Sequence, residues 1–128
     1  MEKAKIRKTK VKSTSAEDLS QLIVTAMQDK KANNILSLDL RHIPEAMSDY
    51  FIICHAASTT QVRAIVDNIE EEARTKVAIK PYHIEGRSNA EWCLIDFGDI
   101  IVHVFQEEKR AFFQLEDLWS DAIFKHYD

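Results

Sequence analysis

Glycine and proline are both scarce in this sequence. Each occurs twice among 128 residues, which excludes collagen-like and low-complexity chains. Because Gly86 and Gly98 are the only glycines, the chain has no P-loop, no G-x-G-x-x-G fingerprint and no G-x-S-x-G nucleophile elbow. The sequence therefore lacks the glycine-based loops that hold phosphates in many nucleotide-binding proteins.

Cysteine and long apolar runs are scarce as well. Cys54 and Cys93 have no C-x-x-C spacing, and each lies within an apolar run, as is typical of buried thiols in a reducing compartment. No apolar run approaches the roughly 20 residues of a membrane span, and the first residues lack the apolar stretch of a secretory signal. We therefore expect a cytoplasmic protein without disulfides or membrane spans.

The charges are unevenly distributed along the chain. Its 17 basic and 21 acidic residues give a net charge of −4. Residues 1–12 contain six basic residues and one acidic residue, a local charge of +5, so the rest of the chain carries −9. We expect residues 1–14 to form a flexible basic arm and residues 15–128 a single domain. The acidic domain favours a basic protein partner, and only the arm is suited to contact phosphates.

The hydrophobic content is sufficient for a core without a cofactor. Hydrophobic residues make up 45% of the chain. A chain of this length buries roughly two thirds of the surface that its unfolded state exposes, so its stability requires no metal or prosthetic group. We predict no cofactor.

Two amphipathic helices are predicted, each preceded by a serine cap. Ser15 with Asp18 resembles an acidic capping box, and the helix after it ends near Lys30. Ser58 with Gln61 opens a second helix, which must end before Pro81 because proline disrupts the helical backbone. The expected buried faces are Leu19, Leu22, Ile23, Ala26 and Met27 in the first helix and Val62, Ile65, Val66, Ile69 and Ala73 in the second.

Five segments have the patterns of β-strands. Residues 36–41 alternate leucine with polar residues, which predicts a half-buried strand. Residues 49–54 form a short β-branched and aromatic run without polar alternation, which predicts a central strand. Residues 82–85 predict a short edge strand. Residues 92–96 and 100–105 are joined by a three-residue link containing Gly98, which indicates an antiparallel hairpin.

The end of the chain is predicted to be a helix. Its apolar residues at helical spacing are Phe112, Leu115, Leu118, Trp119, Ala122 and Ile123. The element order is then αββαβββα. It predicts an α/β (α+β mixed) fold in which helices flank a five-stranded mixed β-sheet of nucleotidyltransferase-like topology, because a helix between strands permits a parallel crossover and the hairpin requires an antiparallel pair.

The polar residues near the hairpin do not form a persuasive catalytic or metal site. Asp96, Asp99 and His103 are close in sequence, but aspartate beside glycine is common in turns, and the two aspartates lack D-x-D spacing. The histidines show no H-x-x-x-H or H-E-x-x-H arrangement, and His83 with Glu85 supplies only two ligands. We predict neither a catalytic residue nor a metal site.

Two features of the central region are interpreted as structural. Cys54 and His55 are adjacent in a predicted strand, so their side chains point to opposite faces and cannot form a thiolate–imidazole pair. The turn at residues 55–60 leads into a helix whose first N–H groups could bind an anion, but every helix start has such groups. An ordinary capped connection explains this turn.

Trp92 allows two interpretations. It opens a strand after the polar residues 86–91, at the end of the predicted sheet. Such a tryptophan either packs into the core, which composition alone favours, or anchors a partner, since tryptophan is enriched among interface hot spots.

Several segments together resemble a known family. They are residues 48–54, 61–65, 85–86 and 115–119 and, most specifically, the string from Trp92 to Phe105 followed by Glu107 and Glu108. Over residues 19–122 the sequence is similar to the ribosomal silencing factor family, also called Iojap-like or RsfS. The resemblance implies a noncatalytic translational repressor that binds the large ribosomal subunit through a basic protein, number fourteen of the large-subunit series. It would block joining of the small subunit when nutrients are scarce, and a role in large-subunit maturation is also implied.

The same resemblance implies a contact surface, with Trp92 and Cys93 at its apolar centre. Trp92 is then expected to be exposed, and the acidic residues would pair with Lys or Arg of the partner, mainly affecting orientation and association rate. The basic arm lies outside the similar region and would contact rRNA or serve solubility. The expected partner-binding residues are Ala90, Trp92, Cys93, Asp99, Phe105, Glu107 and Glu108.

Two other functions stay open at this point. One is a nucleotide-binding or nucleotidyltransferase-like enzyme, which would need a Gly-Ser turn and paired metal-binding carboxylates that the sequence lacks. The other is a dimerisation or scaffold module that self-associates through an exposed apolar sheet face, so both a monomer and a homodimer are compatible with the sequence. If one surface served both purposes, partner binding and dimerisation would compete.

Overall fold

The computed structural model describes residues 14–113 and 115–127, which form helices and a mixed β-sheet. Of the predicted arm, only Thr14 lies within the described residues, so the arm and its boundary stay predictions. The helices are α1 (Ala16–Asp29), α2 (Thr59–Val77), α3 (Glu107–Phe113) and α4 (Leu115–Leu118). The strands are β1 (Asn33–Asp39), β2 (Tyr50–Ala56), β3 (His83–Glu85), β4 (Trp92–Asp96), β5 (Ile100–Gln106) and β6 (Ile123–Tyr127).

The sheet has the strand order β3-β4-β5-β2-β1-β6. Strands β2 and β5 are parallel, and the other neighbouring strands are antiparallel. A parallel pair needs a long crossover, which here runs through α2. The predicted mixed sheet with the second strand in its interior is therefore confirmed.

Both long helices begin as predicted. Ser15 Oγ accepts a hydrogen bond from the Asp18 backbone N–H at 3.0 Å, and Ser58 Oγ accepts one from the Gln61 N–H at 3.1 Å. The Gln61 side chain does not complete a reciprocal capping box. Its amide donates to the carbonyls of Lys30 and Lys31, which ties the start of α2 to the end of α1.

Replacing the second of these caps gives a simple test of the helix boundary. Ser58→Ala is expected to lower the free energy of unfolding by about 1 kcal/mol, because the N–H of Gln61 loses its acceptor. Urea denaturation measures this change, with the exposed Thr60→Ala in the same turn as a control. Equal stabilities of the two variants would contradict the assigned cap.

The two helices cover one face of the sheet. The buried residues predicted for α2 are all buried, and those predicted for α1 are buried except Leu22, which is partly buried against the core. Between the helices and the sheet, the core also includes both cysteines, Cys54 and Cys93, which are free thiols. No helix in the described part of the chain is long and apolar enough to span a membrane.

The predicted hairpin is present between β4 and β5. Trp92 lies opposite Phe105 at one end, and Asp96 lies opposite Ile101 next to the turn. Gly98 has a φ of +90°, and its N–H donates to Asp96 Oδ1 at 2.8 Å. The side chain of Asp96 therefore stabilises the turn, as the sequence interpretation holds.

The C-terminal region differs from its prediction. The apolar spacing predicts one helix through Ile123, but the structure has two short helices followed by β6. Strand β6 pairs with β1, whose backbone groups would otherwise form an unpaired sheet edge, and its β-branched and aromatic residues suit a strand. The prediction of a long last helix is wrong, and within the described residues the sheet has six strands rather than five.

Strand β1 is buried on both faces rather than on one. Residues 35–38 are all buried, and the polar Ser37 forms a hydrogen bond with the hydroxyl of Tyr127 at 3.3 Å. The leucines of β1 point away from the two long helices. They form a second cluster with Ile53 and Phe105, against which Ile43, Ala46, Phe51, Trp92, Trp119 and Ala122 pack.

Candidate functional site

The second face of the sheet is only partly covered. Residues 43–46 and 119–122 cover the part near β1, whereas the part formed by β4 and β5 has a groove of about 630 Å³. We call this part, with Trp92, the open face. The groove is lined on the sheet by Phe51, Leu94 and Ile101, which are partly buried, and at its border by Met47, Tyr82 and Trp119.

Trp92 lies at one end of the open face and is held there by its neighbours. Its ring stacks on Phe105 with a centroid distance of 5.0 Å and an interplanar angle of 27°. Its Nε1–H donates to Nδ1 of His103 at 3.1 Å. Since the side chain is only partly buried, Trp92 presents some of its ring to solvent in a fixed orientation.

His103 supports Trp92 from within the sheet and is almost fully buried, with 3% of its surface exposed. Burial lowers the pKa of His103 from an ordinary 6.5 to about 4, because the charged form cannot be hydrated there. The neutral ring can accept the Trp92 N–H at Nδ1, whereas a protonated ring could not. The ring also contacts Phe51 edge-on at a centroid distance of 4.7 Å.

The lowered pKa of His103 makes folding stability sensitive to pH. Below about pH 6.5 the unfolded chain binds a proton at this histidine and the folded chain does not, so stability falls as the pH falls from 6.5 towards 4. Between pH 7.5 and 5.5, where most carboxylates stay ionised, the loss should be about 1 kcal/mol. Urea denaturation at both pH values measures it, with His103→Gln as the control that removes this contribution. An NMR titration of the His103 ring that gives a pKa near 6.5 would contradict the prediction.

The loop at residues 86–91 connects β3 to Trp92, the first residue of β4. Gly86 has a φ of +85°, and Ala90 adopts a φ of +56°, which is uncommon for a residue with a side chain. The carbonyl of Gly86 accepts hydrogen bonds from the Ala90 N–H at 2.9 Å and from Cys93 Sγ at 3.4 Å. The carbonyl of Glu91 accepts the N–H of Gln106, so the loop is also tied to β5.

The seven residues expected to contact a partner fall into two groups. Ala90, Cys93 and Phe105 are fully buried in this structure, so their side chains are not accessible to a partner. Phe105 stacks on Trp92, whereas Ala90 and Cys93 belong to the core on the helix-covered face. Trp92 is partly buried, and the three acidic residues are exposed. A role in binding for all seven stays a prediction. The exposed acidic residues are Asp99, Glu107 and Glu108.

The acidic residues lie at opposite ends of the hairpin. Glu107 and Glu108 follow β5 and begin α3, near the end that carries Trp92. Asp99 lies in the turn, and because each strand residue advances the chain by about 3.3 Å, the turn is more than about 13 Å from Trp92. Negative charge therefore borders the open face at both ends.

The apolar residues of the groove were not among the site residues predicted from the sequence. Leu94 and Ile101 lie on the same face as Trp92, and the period of two along a strand was a usable signal for both. Trp119 and Met47 come from distant parts of the chain, so no local pattern indicates their position in the groove.

Polar groups at the far border of the groove include a histidine that lies near two carboxylates. His83 Nε2 lies 2.9 Å from Glu85, and its Nδ1 lies 3.8 Å from Asp96. Among the described residues, no group of three or more His, Cys, Asp or Glu side chains is arranged to hold a metal ion. Burial raises the pKa of the Cys54 thiol to about 12, so it is a protonated thiol rather than a nucleophile.

Comparison with known proteins gives one consistent result. The family model described as "Ribosomal silencing factor during starvation" matches residues 13–128. A protein of Halalkalibacterium halodurans named ribosomal silencing factor RsfS is 42% identical over 108 residues, covering 84% of this chain and 91% of that protein. The protein of the same name from Bacillus subtilis is 40% identical over 106 residues, covering 83% and 88%. A crystal structure of a Bacillus halodurans protein matches with a TM-score of 0.72 at 41% identity, covering 80% of this chain and 94% of that one.

Proposed function

This chain belongs to the ribosomal silencing factor family, and from this membership and its open face we propose that it binds the large ribosomal subunit and prevents the small subunit from joining. The family name describes a regulatory factor acting on the ribosome rather than an enzyme. The partner that we propose on the large subunit is its basic protein number fourteen, as the resemblance implies. The protein would then repress translation in the cytoplasm when nutrients are limited.

The observation that carries this proposal is the fixed, partly exposed ring of Trp92 beside an apolar groove. Tryptophan contributes strongly to interfaces when it is held rigidly, because little conformational entropy is lost on binding. Stacking on Phe105 and the hydrogen bond to His103 supply that rigidity before any partner arrives. The surface is therefore suited to an apolar anchor contact.

The charge around the open face supports a basic partner. Glu45, Glu85 and Asp96 line the groove, and Glu107 and Glu108 are exposed beyond the Trp92 end. Acidic groups at the rim of an interface mainly raise the association rate and set orientation. A surface of this charge repels bare phosphate backbones, so we propose direct contact with ribosomal protein and leave rRNA contact to the basic arm.

The mechanism that we propose is steric. A bound domain on the joining face of the large subunit occupies space that the small subunit needs, and no bond has to be made or broken. Inhibition then depends on occupancy alone, so it should follow the binding curve of the large subunit and reverse on dilution.

Sucrose-gradient cosedimentation tests the function directly. Purified protein is mixed with separated large subunits, and small subunits are then added at a magnesium concentration that permits joining. We expect the protein to travel with the large subunit and to reduce the peak of joined ribosomes in proportion to its occupancy. Protein that stays at the top of the gradient, or that binds without reducing the joined peak, would contradict the proposal.

A further inference from the structure

Arg63 in helix α2 makes two directed contacts with the loop that precedes Trp92. Its Nε–H donates to the carbonyl oxygen of Arg87 at 3.1 Å, and its Nη2 donates to the carbonyl oxygen of Ser88 at 2.7 Å. A guanidinium is a planar fork whose donors have fixed relative positions, so one side chain fixes two consecutive peptide groups at once. A point charge such as the lysine ammonium has no equivalent geometry.

A second arginine connects the same two elements in the opposite direction. The Arg87 guanidinium reaches back from the loop to the carboxylates of Asp67 and Glu70 on α2. The side chains of Arg87 and Asp67 are 42% and 59% exposed, and ion pairs at such exposure contribute little to stability. The hydrogen bonds from the partly buried Arg63 are therefore the stronger link between helix and loop.

The loop has little freedom of its own once these bonds form. Its first carbonyl, that of Gly86, already accepts two hydrogen bonds, and its last, that of Glu91, is bound to β5. Arg63 fixes two of the four carbonyls between these ends, those of Arg87 and Ser88. A change in the middle of the loop would be transmitted to Trp92, which follows it directly.

We propose that Arg63 is a positioning residue for partner binding: from the helix-covered side of the sheet it fixes the loop at residues 86–91 and thereby the orientation of Trp92 on the open face. This inference rests on the proposed function, because it assigns Arg63 a role in the same interaction. Arg63 acts through the loop and does not itself touch the partner.

The lost charge and the lost hydrogen bonds of an Arg63 variant should change the affinity for a basic partner in opposite directions. Removing a positive charge makes the acidic domain more negative, which by itself would favour a basic partner. Binding by an Arg63 variant that is weaker than binding by a variant lacking the same charge elsewhere on α2 therefore cannot result from the lost charge. It has to come from the lost hydrogen bonds to the carbonyls of Arg87 and Ser88.

The test compares Arg63→Ala with Arg74→Ala, which removes the same charge from an exposed position on the same helix. We expect Arg63→Ala to bind large subunits about tenfold more weakly, with faster dissociation, and Arg74→Ala to bind at least as tightly as the unchanged protein. Arg63→Lys should recover only part of the loss because it reaches one carbonyl at a time. Binding of each variant to large subunits immobilised on a sensor surface is followed in time, which gives the association and dissociation rates separately.

Hydrogen exchange followed by NMR separates positioning from general destabilisation. In Arg63→Ala, the amides of Ala90 and Gln106 and the indole N–H of Trp92 should exchange faster, whereas amides in the middle of β2 and β5 should keep their protection. If Arg63→Ala proves too unstable, Arg63→Lys supplies the same local comparison.

The outcomes distinguish this inference from the function on which it rests. If the unchanged protein binds large subunits and Arg63→Ala binds equally well, the positioning role is overturned and the function stands. Uniform loss of protection throughout the sheet would also overturn it, since Arg63 would then be a general stabilising residue. If the unchanged protein fails to bind, the proposed function itself fails.

Discussion

Trp92→Ala is expected to weaken binding to the large ribosomal subunit by at least about thirtyfold, or 2 kcal/mol, while the protein stays folded. The substitution removes an indole ring that the open face presents in a fixed orientation, stacked on Phe105 and hydrogen-bonded to His103. Its ring is only partly buried, so the core between the sheet and the long helices is left intact. Cosedimentation with large subunits over a range of concentrations measures the loss.

Trp92→Phe is the matched variant for this prediction. It keeps an aromatic ring to stack on Phe105 but loses the N–H that binds His103, so we expect an intermediate loss of affinity. Circular dichroism and urea denaturation show whether each variant is folded. If Trp92→Ala unfolds, Trp92 is a core residue, and if it stays folded and binds normally, the anchor lies elsewhere on the open face; either result contradicts the assignment.

Of the substitutions proposed for this protein, Gly86→Ala is expected to lower the free energy of unfolding most, by at least about 3 kcal/mol. It should also weaken binding to the large ribosomal subunit. A Cβ at this position would lie 2.0 Å from the carbonyl oxygen of Trp92 and 3.0 Å from its carbonyl carbon. Both atoms belong to the backbone, so the strand itself would have to move. The φ of +85° adds the strain of a left-handed conformation. Urea denaturation measures the loss.

Gly98→Ala provides a control with the same backbone strain. Gly98 has a φ of +90°, but a Cβ there would meet the ring of Tyr82, at 2.8 Å, rather than backbone. Tyr82 is 80% exposed and its side chain can move away, so we expect a loss of only about 1–2 kcal/mol, from the left-handed conformation. Equal losses for the two variants would show that the contact with the Trp92 carbonyl does not determine the cost at Gly86.

The parts of the fold that depend on neighbouring residues were predictable from the sequence. The caps at Ser15 and Ser58 and the turn at Gly98 each involve residues two or three positions apart, so the sequence contains the whole interaction. The strand β6 is different because its stability depends on pairing with β1, whose residues lie 84 to 92 positions earlier. The same apolar residues fit a helical period, and no local signal distinguishes the two structures.

The site was predictable only in part, for a related reason. Trp92 could be identified from the string that resembles the family, and its partial exposure agrees with an anchor. The burial of Cys93 and Phe105 depends on what covers each face: α2 and its neighbours on one side, and Trp92 together with the second cluster on the other. Exposure of a strand residue is a property of the covering layer, and that layer comes from remote parts of the chain.

The parallel pairing of β2 with β5 has a consequence for how the protein is made. Every pair of opposed residues in these strands is separated by 50 positions, from Tyr50 and Ile100 to Ala56 and Gln106. Contacts this distant in sequence slow folding, because the entropy of closing a long loop is lost before the strand pairing contributes favourable free energy. During synthesis, β2 leaves the exit tunnel long before its neighbour exists, with its apolar residues uncovered on that edge. Folding of this domain therefore finishes only after nearly the whole chain has been translated.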